Sequence, residues 1–378
     1  MRVSIISPIY KGVHYIPALI SQAEACKNHV RDDIEIELVL SNDYPEEPLG
    51  TYESDIIDIL VINTPVNQGI QAARIKGLSV ATGEYIVFLD QDDKIYPDYV
   101  RSQLKAIGGG AAVVCRCINE GKLKYNAGEC FEKMITKEYM LTKGDPIIST
   151  GPVLIRKECI PNSWKNNVLK TSGADDYFLW LCMIAEGYKF TLNQEVLYEH
   201  VVNGVNTSLN TQRMMASEHE MFEIIKKNKL FKDEEDRVFD ELENTVIQKH
   251  LKLLDKFRLM FFVLNNLLVM QENNISLSTC LHDMGVRNLA IYGAGYLGKR
   301  VYGFLQNTDV RVSCYVDQNA DYLNEPVPAY TIENIPENVD CILVTLMQGS
   351  DNVIYELRNR YPNVKIIELT ELLNTERV

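Results

Sequence analysis

The sequence predicts an α/β protein that contains two separate sheet-forming domains. Strand and helix patterns alternate from residue 1 to about residue 115, which is typical of a parallel sheet covered by helices. The same alternation starts again at Val286, after a stretch that is helical throughout. A chain of 378 residues is long enough for two such domains and a connector between them.

In the first region, the strand segments are apolar at nearly every position. This is typical of strands that are covered on both faces of a parallel sheet. We expect strands at Val3–Pro8, Ile34–Leu40, Ile56–Ile62, Tyr85–Leu89 and Ala111–Cys115, and helices at His14–Asn28, Gln68–Ala81 and Asp98–Ile107. Between residues 116 and 210 the pattern is mixed. There we expect a strand at Ile148–Arg156, a helix at Asp175–Gly187 and two short strands within Lys189–His200.

The remainder of the chain divides into a helical connector and a second, smaller α/β domain. Residues 211–284 predict two or three helices. The second domain is expected to have strands at Leu289–Tyr292, Arg311–Val316, Cys341–Thr345 and Lys365–Glu368, one helix that ends at Leu305 and another at Asn352–Arg360. The predicted domains are therefore 1–210, 211–284 and 285–378.

Composition and charge exclude several classes of partner. The formal net charge is -14, which disfavours binding to nucleic-acid phosphates and broad attraction to anionic lipid. The cysteines lack zinc-type or disulfide-type spacing, which indicates a reducing compartment. No segment has the length and apolar character of a membrane span or a signal peptide. We therefore expect a cytoplasmic protein that does not bind nucleic acid.

The segment that follows Glu84 is the strongest sign of a binding site. Five apolar or aromatic residues, Tyr85 to Leu89, lead directly into the carboxylates of Asp90, Asp92 and Asp93. Ligands of parallel sheets bind at the carboxyl ends of the strands, and clustered aspartates there need a positive charge to neutralise them. A divalent cation held through oxygen meets this need, and the sequence does not distinguish Mg²⁺ from Mn²⁺. The alternative interpretation is a solvated acidic turn.

A series of further motifs accompanies this acidic cluster in a fixed order. The motifs are Ser4-Ile-Ile-Ser-Pro8-Ile-Tyr10, Ser41-Asn42-Asp43, Asn67-Gln-Gly69 with Ala73-Arg74, Gly173-Ala174-Asp175-Asp176, and Tyr198-Glu-His200 followed by Asn203-Gly204-x-Asn206-Thr-Ser208. Together with the acidic cluster, this series resembles the family-2 inverting glycosyltransferases of the GT-A fold over about the first 210 residues. The turn at Ser41 departs from the family pattern because it lacks the usual Gly-Ser pair. The Gln-x-x-Arg-Trp segment and the membrane helices of processive synthases are also absent.

The resemblance implies a site for a nucleotide-diphosphate sugar. It places Pro8 and Tyr10 at the nucleotide. Asp43, at the end of the second strand, is suited to accept a hydrogen bond from a uracil or thymine N3–H; the alternative is a turn cap. Asn67 and Gly69 begin the helix that carries Arg74, which would pair with the diphosphate or hold the aspartate cluster, unless it is a surface residue.

The metal would be bound mainly by Asp92. Asp90 would contact the ribose or the waters of the metal, and Asp93 would orient Asp92 or touch the donor sugar. His200 is the expected late ligand of the metal, with a structural or surface histidine as the alternative. We thus expect a set of metal-binding residues made of Asp92, Asp90 and His200.

The catalytic base is predicted at the start of the helix that begins at Asp175. A carboxylate near the mouth of the site is suited to take the proton of an acceptor hydroxyl. Asp176 is the first choice, and Asp175 is the acceptor-binding or alternate residue. The alternative for both is capping of the helix. The resemblance implies inversion at the anomeric carbon.

The second domain carries a complete glycine motif of its own. Gly293, Gly295 and Gly298 lie between a predicted strand and a predicted helix, and Asp317 ends the next strand. This context suits a second nucleotide site and resembles the Rossmann-like modules of other sugar-modifying enzymes. The alternatives are a tight turn that binds nothing and a domain used for assembly.

The sequence therefore predicts a metal-dependent inverting glycosyltransferase that uses a nucleotide-sugar, UDP-linked in the first instance. The acceptor would be a carbohydrate or a lipid-linked glycan in surface polysaccharide synthesis. An NAD(P)-dependent oxidoreductase or a nucleotide sensor built on the glycine motif is the alternative function. The apolar stretch Leu251–Met270 is interpreted as a connector packed between domains or in a homodimer; contact with the inner face of the membrane is the alternative.

Overall fold

The computed structural model describes residues 1–119, 122–124, 131–201, 210–232, 234–320, 323, 325–347 and 349–373. The chain divides into two compact units, Met1–His250 and Leu251–Val378. The predicted three-part division, with boundaries at 210 and 284, stays a prediction. Among the helices of the described ranges, none combines the length and the apolar character that crossing a bilayer requires.

The first unit holds strands and helices in alternating order over its first half. Its strands are β1 (Arg2–Ile9), β2 (Glu35–Asn42), β3 (Asp58–Asn63), β4 (Tyr85–Phe88), β5 (Lys94–Ile95), β6 (Ala112–Asn119), β7 (Lys122–Leu123), β8 (Val153–Arg156) and β9 (Phe190–His200). Its helices are α1 (Ile16–Asn28), α2 (Ile70–Val80), α3 (Tyr99–Ala106), α4 (Phe131–Met134), α5 (Lys137–Lys143), α6 (Asn162–Asn166), α7 (Asp175–Ala185) and α8 (Thr211–Lys227). Helix α9 (Asp236–Glu272) runs through the boundary between the units.

One sheet organises the first unit, in the order β3-β2-β1-β4-β8-β6-β9-β5, with β7 paired to β6. Strands β3, β2, β1 and β4 are mutually parallel, and β8 is antiparallel to both β4 and β6. Ile9 pairs with Asn42 at the carboxyl ends of β1 and β2. The residues that follow β1, β2 and β4 therefore meet at one edge of the sheet, where parallel sheets bind their ligands.

The core explains why these segments form strands and helices. From Val3 to Ile9 every residue of β1 is buried, as expected for a strand with helices on both faces. Helix α2 packs closely on this strand, since a Cβ at Gly77 would lie 2.3 Å from Cγ2 of Ile6. Trp164 and Trp180 are fully buried in the same core. Burial of this apolar surface is the main stabilising contribution to the unit.

Most predicted elements of the first unit are confirmed, and two are wrong in detail. The strand predicted at Ile148–Arg156 begins only at Val153, because Val153 N donates to Thr150 O (3.1 Å) across a turn. The two short strands predicted within Lys189–His200 form the single strand β9. Its register against β6 shifts around Arg116, and such an irregularity breaks the alternating pattern from which strands are predicted.

The second unit contains a smaller sheet in which every pairing is parallel. Its elements after α9 are α10 (Leu277–Asp283), β10 (Asn288–Tyr292), α11 (Tyr296–Leu305), β11 (Arg311–Val316), β12 (Ala329–Tyr330), β13 (Cys341–Val344), α12 (Ser350–Arg360), β14 (Lys365–Glu368) and α13 (Leu369–Leu373). The strand order is β12-β11-β10-β13-β14. The predicted alternation is confirmed, although β12 and α13 were not predicted.

Replacement of Gly151 by alanine should destabilise the first unit. A Cβ at this position would lie 2.2 Å from Cε2 of Tyr198, whose ring is fully buried. We expect Gly151→Ala to lower the free energy of unfolding by about 1–3 kcal/mol, as overpacked cores do. Urea unfolding followed by the fluorescence of Trp164 and Trp180 measures the loss. Gly109→Ala is the control, since a Cβ there meets nothing within 4 Å; equal stability of the two variants would contradict the packing argument.

Candidate functional site

A buried arginine connects the carboxyl edge of the sheet to the start of helix α7. The side chain of Arg74 is 3% exposed. Its Nη2 donates to Oδ1 of Asp90 (2.5 Å), and its Nη1 donates to Oδ2 of Asp175. The carboxylate of Asp175 is 5% exposed and belongs to the first turn of α7. The sequence predicted Arg74 at the site with two possible roles, and in the structure it holds aspartates.

Electrostatics keep this arginine charged. Burial lowers the pKa of Arg74, but the carboxylates of Asp90, Asp175 and Asp176 raise it by more, so its pKa lies above the ordinary value. Burial raises the pKa of Asp175, and the guanidinium opposes that shift. A buried charge that is paired on two sides is tolerated, whereas the same charge without its partners is costly.

The acidic cluster lies in the short connection between β4 and β5. Asp90 receives a second hydrogen bond at Oδ2, from Oγ of Ser149 (3.3 Å). Asp92 is partly exposed. Burial raises the pKa of Asp92 to about 6, and the neighbouring carboxylates of Asp93 and Asp90 contribute to the rise. Three carboxylates therefore crowd one edge of the sheet, and only Asp90 is paired with Arg74.

Asp93 is buried and ties the cluster to the end of β9. Its Oδ2 accepts from the hydroxyl of Tyr198, and its Oδ1 accepts from Val201 N (2.9 Å). Nδ1 of His200 lies 3.1 Å from Oδ1 of Asp93. This bond raises the pKa of His200, against the effect of burial. The motif around Asn203, predicted to follow His200, lies outside the described residues.

Asp43 fixes the entry into helix α2. Its side chain is buried, with Oδ1 accepting from Gln68 N (2.9 Å) and Oδ2 accepting from Gly69 N (2.7 Å). Gly69 has φ +90°, a conformation that favours glycine, and Oδ1 of Asn67 also accepts from its N–H (3.0 Å). These contacts are those of a turn cap, which was the alternative interpretation of Asp43. The predicted hydrogen bond from a nucleobase to Asp43 stays a prediction.

Two tyrosines flank this edge of the sheet. Tyr10 follows β1 and is 45% exposed, whereas Pro8 is buried within the strand. The backbone of Tyr10 is held by Gln91, which accepts from its N–H (3.0 Å) and donates to its carbonyl (3.1 Å). The ring of Tyr10 meets that of Tyr44 edge to face at 5.4 Å. Nζ of Lys11 lies 5.4 and 5.2 Å from the two ring centroids.

The start of α7 brings two aspartates to the site from different sides. Asp175 turns inward to Arg74, and Nε1 of Trp164 donates to its carbonyl (2.9 Å). Asp176 is partly exposed, and its Oδ1 accepts from Tyr177 N (2.7 Å). Burial raises the pKa of Asp176 to about 7, and the charge of Asp175 adds to the rise. The structure therefore separates the neighbours into a buried partner of Arg74 and a more accessible carboxylate.

Several residues of the site were not predicted. Asp145 is partly buried and accepts from Ile147 N (2.8 Å); burial raises its pKa, and the charge of Asp176 raises it further. Ser149 holds Asp90, and Tyr198 holds Asp93. The sequence placed Tyr198 in the motif that contains His200 but gave it no role. Asp145 and Ser149 belong to no predicted motif, and only the fold brings them to the aspartates.

The glycine motif of the second unit forms the turn between β10 and α11. Gly293 has φ +98°, and a Cβ at Gly298 would lie 1.9 Å from Gly293 O, so both positions require glycine. Oδ2 of Asp317 accepts from Ala294 N (3.0 Å), and Oδ1 accepts from Asn319 N (2.9 Å). One carboxylate oxygen thus binds the backbone of the glycine turn, and the other binds the backbone of the loop after β11. A second nucleotide site at these residues and at Gly295 stays a prediction, as does the oxidoreductase alternative.

The donor set near Asp92 suits a cation that arrives with phosphate. Within the described ranges, no three His, Cys, Asp or Glu side chains are grouped closely enough to hold a metal ion. The predicted set of Asp92, Asp90 and His200 therefore stays a prediction. Mg²⁺ and Mn²⁺ at nucleotide sites are commonly bound by one or two carboxylates together with the phosphates of the substrate. Because His200 contacts Asp93 through Nδ1, its Nε2 is the nitrogen left for a metal.

The mixed sheet of the first unit has the architecture of the GT-A glycosyltransferase fold. Residues 4–158 match the family model described as Glycosyl transferase family 2. Residues 4–158 thus form a glycosyltransferase family 2 domain, and the resemblance of the first region to this family, predicted from the sequence, is confirmed.

Curated relatives agree with this family. EpsH of Bacillus subtilis (strain 168), named as a glycosyltransferase, is 31% identical over 140 residues, which are 36% of this chain and 39% of EpsH. TuaG of the same strain, named as a teichuronic acid biosynthesis glycosyltransferase, is 27% identical over 225 residues, which are 58% of this chain and 86% of TuaG. The match thus spans less than half of EpsH and most of TuaG.

Solved structures are more distant. TarS 1-349 of S. aureus in complex with UDP-GlcNAc has a TM-score of 0.47 at 15% identity, covering 66% of this chain and 72% of TarS 1-349. The mannosyltransferase PcManGT of Pyrobaculum calidifontis, in complex with GDP-Man and Mn²⁺, has a TM-score of 0.45 at 17% identity, covering 68% and 71% of the two chains.

Removal of the guanidinium should destabilise the first unit in a pH-dependent way. Arg74→Met leaves the buried Asp175 and the partly exposed Asp90 without their shared positive partner, and we expect a loss of about 3–5 kcal/mol near pH 8. The loss should be smaller near pH 5, because the pKa of the orphaned Asp175 rises further and protonation removes its uncompensated charge. Urea unfolding at the two pH values measures both effects.

The matched control for this variant is Arg101→Met. Arg101 is 61% exposed and pairs with Asp98 on the surface of α3 (2.8 Å), so its loss should leave unfolding unchanged. A loss in Arg74→Met that is no greater than in Arg101→Met would refute the account of a buried bridge.

Proposed function

We propose that this chain is a metal-dependent inverting glycosyltransferase that takes its sugar from a nucleotide-diphosphate donor, with a UDP-sugar as the first candidate. The observation that carries the proposal is the double contact of Arg74. One guanidinium joins Asp90, at the donor edge of the sheet, to Asp175, beside the candidate base. Family membership supports the class of reaction, and the site supports the roles of individual residues.

The donor half of the site is formed by the ends of β1, β2 and β4. The exposed ring of Tyr10 offers an apolar face for a nucleobase. Asp43 and Gly69 shape the turn beside it through their hydrogen bond. The crowded carboxylates of Asp92 and Asp93 repel a bare diphosphate, so the donor must arrive with its charge neutralised.

A divalent cation, Mg²⁺ or Mn²⁺, would supply that neutralisation when bound and would stabilise the charge of the leaving diphosphate. Asp92 is the residue that we expect to hold it, with His200 as the second candidate. Asp93 orients His200 through their bond, because a hydrogen bond at one ring nitrogen fixes the direction of the other. Asp90 stays paired with Arg74 and does not need to bind the cation.

The acceptor half of the site is centred on Asp176. Its Oδ1 already accepts from the backbone of Tyr177, which leaves Oδ2 for the proton of an acceptor hydroxyl. A pKa of about 7 lets this carboxylate take a proton near neutral pH and release it to solvent afterwards. Attack from this side, opposite the leaving diphosphate, would invert the anomeric carbon.

The acceptor is proposed to be a carbohydrate or a lipid-linked glycan of a surface polysaccharide, and the reaction is proposed to take place in the cytoplasm. The name of TuaG, which refers to teichuronic acid biosynthesis, supports the polysaccharide part of this proposal.

Removal of the metal should abolish turnover, and loss of the Asp92 carboxylate should weaken binding of the metal. We expect EDTA to stop UDP release from a panel of UDP-sugars, and Mn²⁺ or Mg²⁺ to restore it. Asp92→Asn should raise the Mn²⁺ concentration for half-maximal rate by at least about tenfold, because it removes a candidate ligand. Asp32→Asn, an exposed aspartate on the same unit, is the control. Full turnover after exhaustive chelation would show that the reaction needs no metal.

Asp176→Asn should remove the base while sparing the donor site. We expect kcat to fall by about 10²–10⁴-fold, the usual contribution of a general base, while the affinity for UDP with Mn²⁺ changes little. Rate assays and calorimetry measure the two quantities. Asp240→Asn, on the exposed face of α9, should keep the full rate. An active Asp176→Asn enzyme would assign the base to another residue.

The pH profile provides a second readout of the same assignment. The base must be ionised to take a proton. We therefore expect log kcat/KM to rise with pH and to level off above the pKa of Asp176, which is about 7. This ascending limb should disappear from the residual activity of Asp176→Asn.

A further inference from the structure

Helix α9 presents an apolar stripe that nothing in the proposed reaction uses. The α9 stripe consists of large side chains on one face of the helix within the second unit: Leu254, Phe257, Phe261, Leu264 and Leu268. Phe261 is 72% exposed, Leu268 56%, Phe257 49% and Leu254 44%. The opposite face of the same helix is different, because Val263 is buried in the core of the second unit. Leu264, within the stripe, is partly buried and packs against the same core. The helix is thus anchored along Val263 and Leu264, and the other four residues of the stripe are exposed.

The spacing of the stripe is that of a helix that pairs with another helix. Its residues recur at alternating intervals of three and four positions, which is the a and d pattern of a coiled coil. The stripe runs along about 21 Å of helix. Arg258 and Asn265 border it on one side, and Met260 borders it on the other, so the rows beside the stripe hold one charge. An identical stripe from a second copy meets no row of like charges.

The exposed area suits a weak to moderate dimer. The exposed fractions of the stripe, together with those of the flanking Leu251 and Leu253 (41% each), amount to roughly 500 Å² of apolar surface per copy. Two copies would bury roughly 1,000 Å², which is the lower bound for a specific protein interface. A patch of this size is at the upper end of what monomers leave exposed.

Charge argues against a lipid surface as the occupant. Helices that lie on anionic membranes carry several basic residues that are not offset by acids. Between Leu251 and Leu268, the basic residues Lys252, Lys256 and Arg258 are accompanied by Asp255, and the whole chain has a formal net charge of -14. The α9 stripe is narrow and has a coiled-coil repeat, which suits packing against a second helix. A helix that lies on a membrane has a broader apolar face.

We infer that the α9 stripe is the contact surface of a homodimer, in which the stripe of a second copy covers it about a two-fold axis. Such an interface uses the same residues on both copies. The α9 stripe suits it, because the stripes of two copies can pack against each other. This inference is independent of the proposed transferase activity.

Sedimentation equilibrium of the full chain between about 1 and 100 µM tests the inference. The wild type should form a dimer at the upper end of this range. The double variant Phe257→Glu/Phe261→Glu should stay monomeric, with a dissociation constant raised by at least about 100-fold, because it places unpaired charges in the seam. Tyr355→Glu is the matched control, since Tyr355 on α12 is also 72% exposed; it should dimerise like the wild type.

A chemical readout guards against misfolding of the charged variant. A short bismaleimide should capture dimers of Phe261→Cys, and it should capture few dimers of Tyr355→Cys at the same protein concentration. A wild type that stays monomeric, a dimer that survives the double charge, or equal capture of the two cysteine variants would overturn the inference. So would a monomer that co-sediments with anionic phospholipid vesicles only when Phe261 is intact, which would assign the stripe to a membrane.

Discussion

The guanidinium of Arg74 lies where three parts of the first unit meet. It belongs to α2, it contacts Asp90 after β4, and it contacts Asp175 at the start of α7. Each carboxylate would be costly in this buried place without a positive partner, and the guanidinium would be equally costly without them. The same pairing therefore secures the helix on the sheet and sets the distance between the proposed donor and acceptor halves of the site. We regard it as the contact on which the rest of the site depends.

The charge left after this pairing determines what the site can bind. Arg74 balances part of the acidic edge, whereas Asp92 remains in a neighbourhood where burial and nearby carboxylates raise its pKa. A negatively charged site repels a negatively charged diphosphate unless a cation accompanies the ligand. Burial and the charge of Asp175 raise the pKa of Asp176 to about 7, which is close to the pH at which the proposed base would act. One cluster thus accounts for both the proposed need for a metal and the proposed base.

The sequence was sufficient to predict the parts of the fold that depend on local patterns. The apolar run of β4 and the aspartates after it could be recognised, because the apolar residues and the carboxylates follow one another directly in the sequence. Arg74 was predicted as one possible partner of those aspartates, but its second contact, with Asp175, and the contact of Tyr198 with Asp93 were not predicted. Arg74 and Asp175 are 101 positions apart, and Tyr198 and Asp93 are 105 apart. The irregular register of β9 was missed for a similar reason, because it depends on the neighbouring strand.

We propose above all that the acidic edge binds a nucleotide diphosphate only together with a divalent cation. Electron paramagnetic resonance of Mn²⁺ tests it most directly, since the signal of the free ion disappears on binding. We predict that the wild-type chain alone leaves most of the Mn²⁺ signal unchanged, and that addition of UDP removes it in a one-to-one complex. The control is a solution of UDP and Mn²⁺ without protein. If UDP reduces the Mn²⁺ signal no further in the presence of the protein than in this control, the account is contradicted.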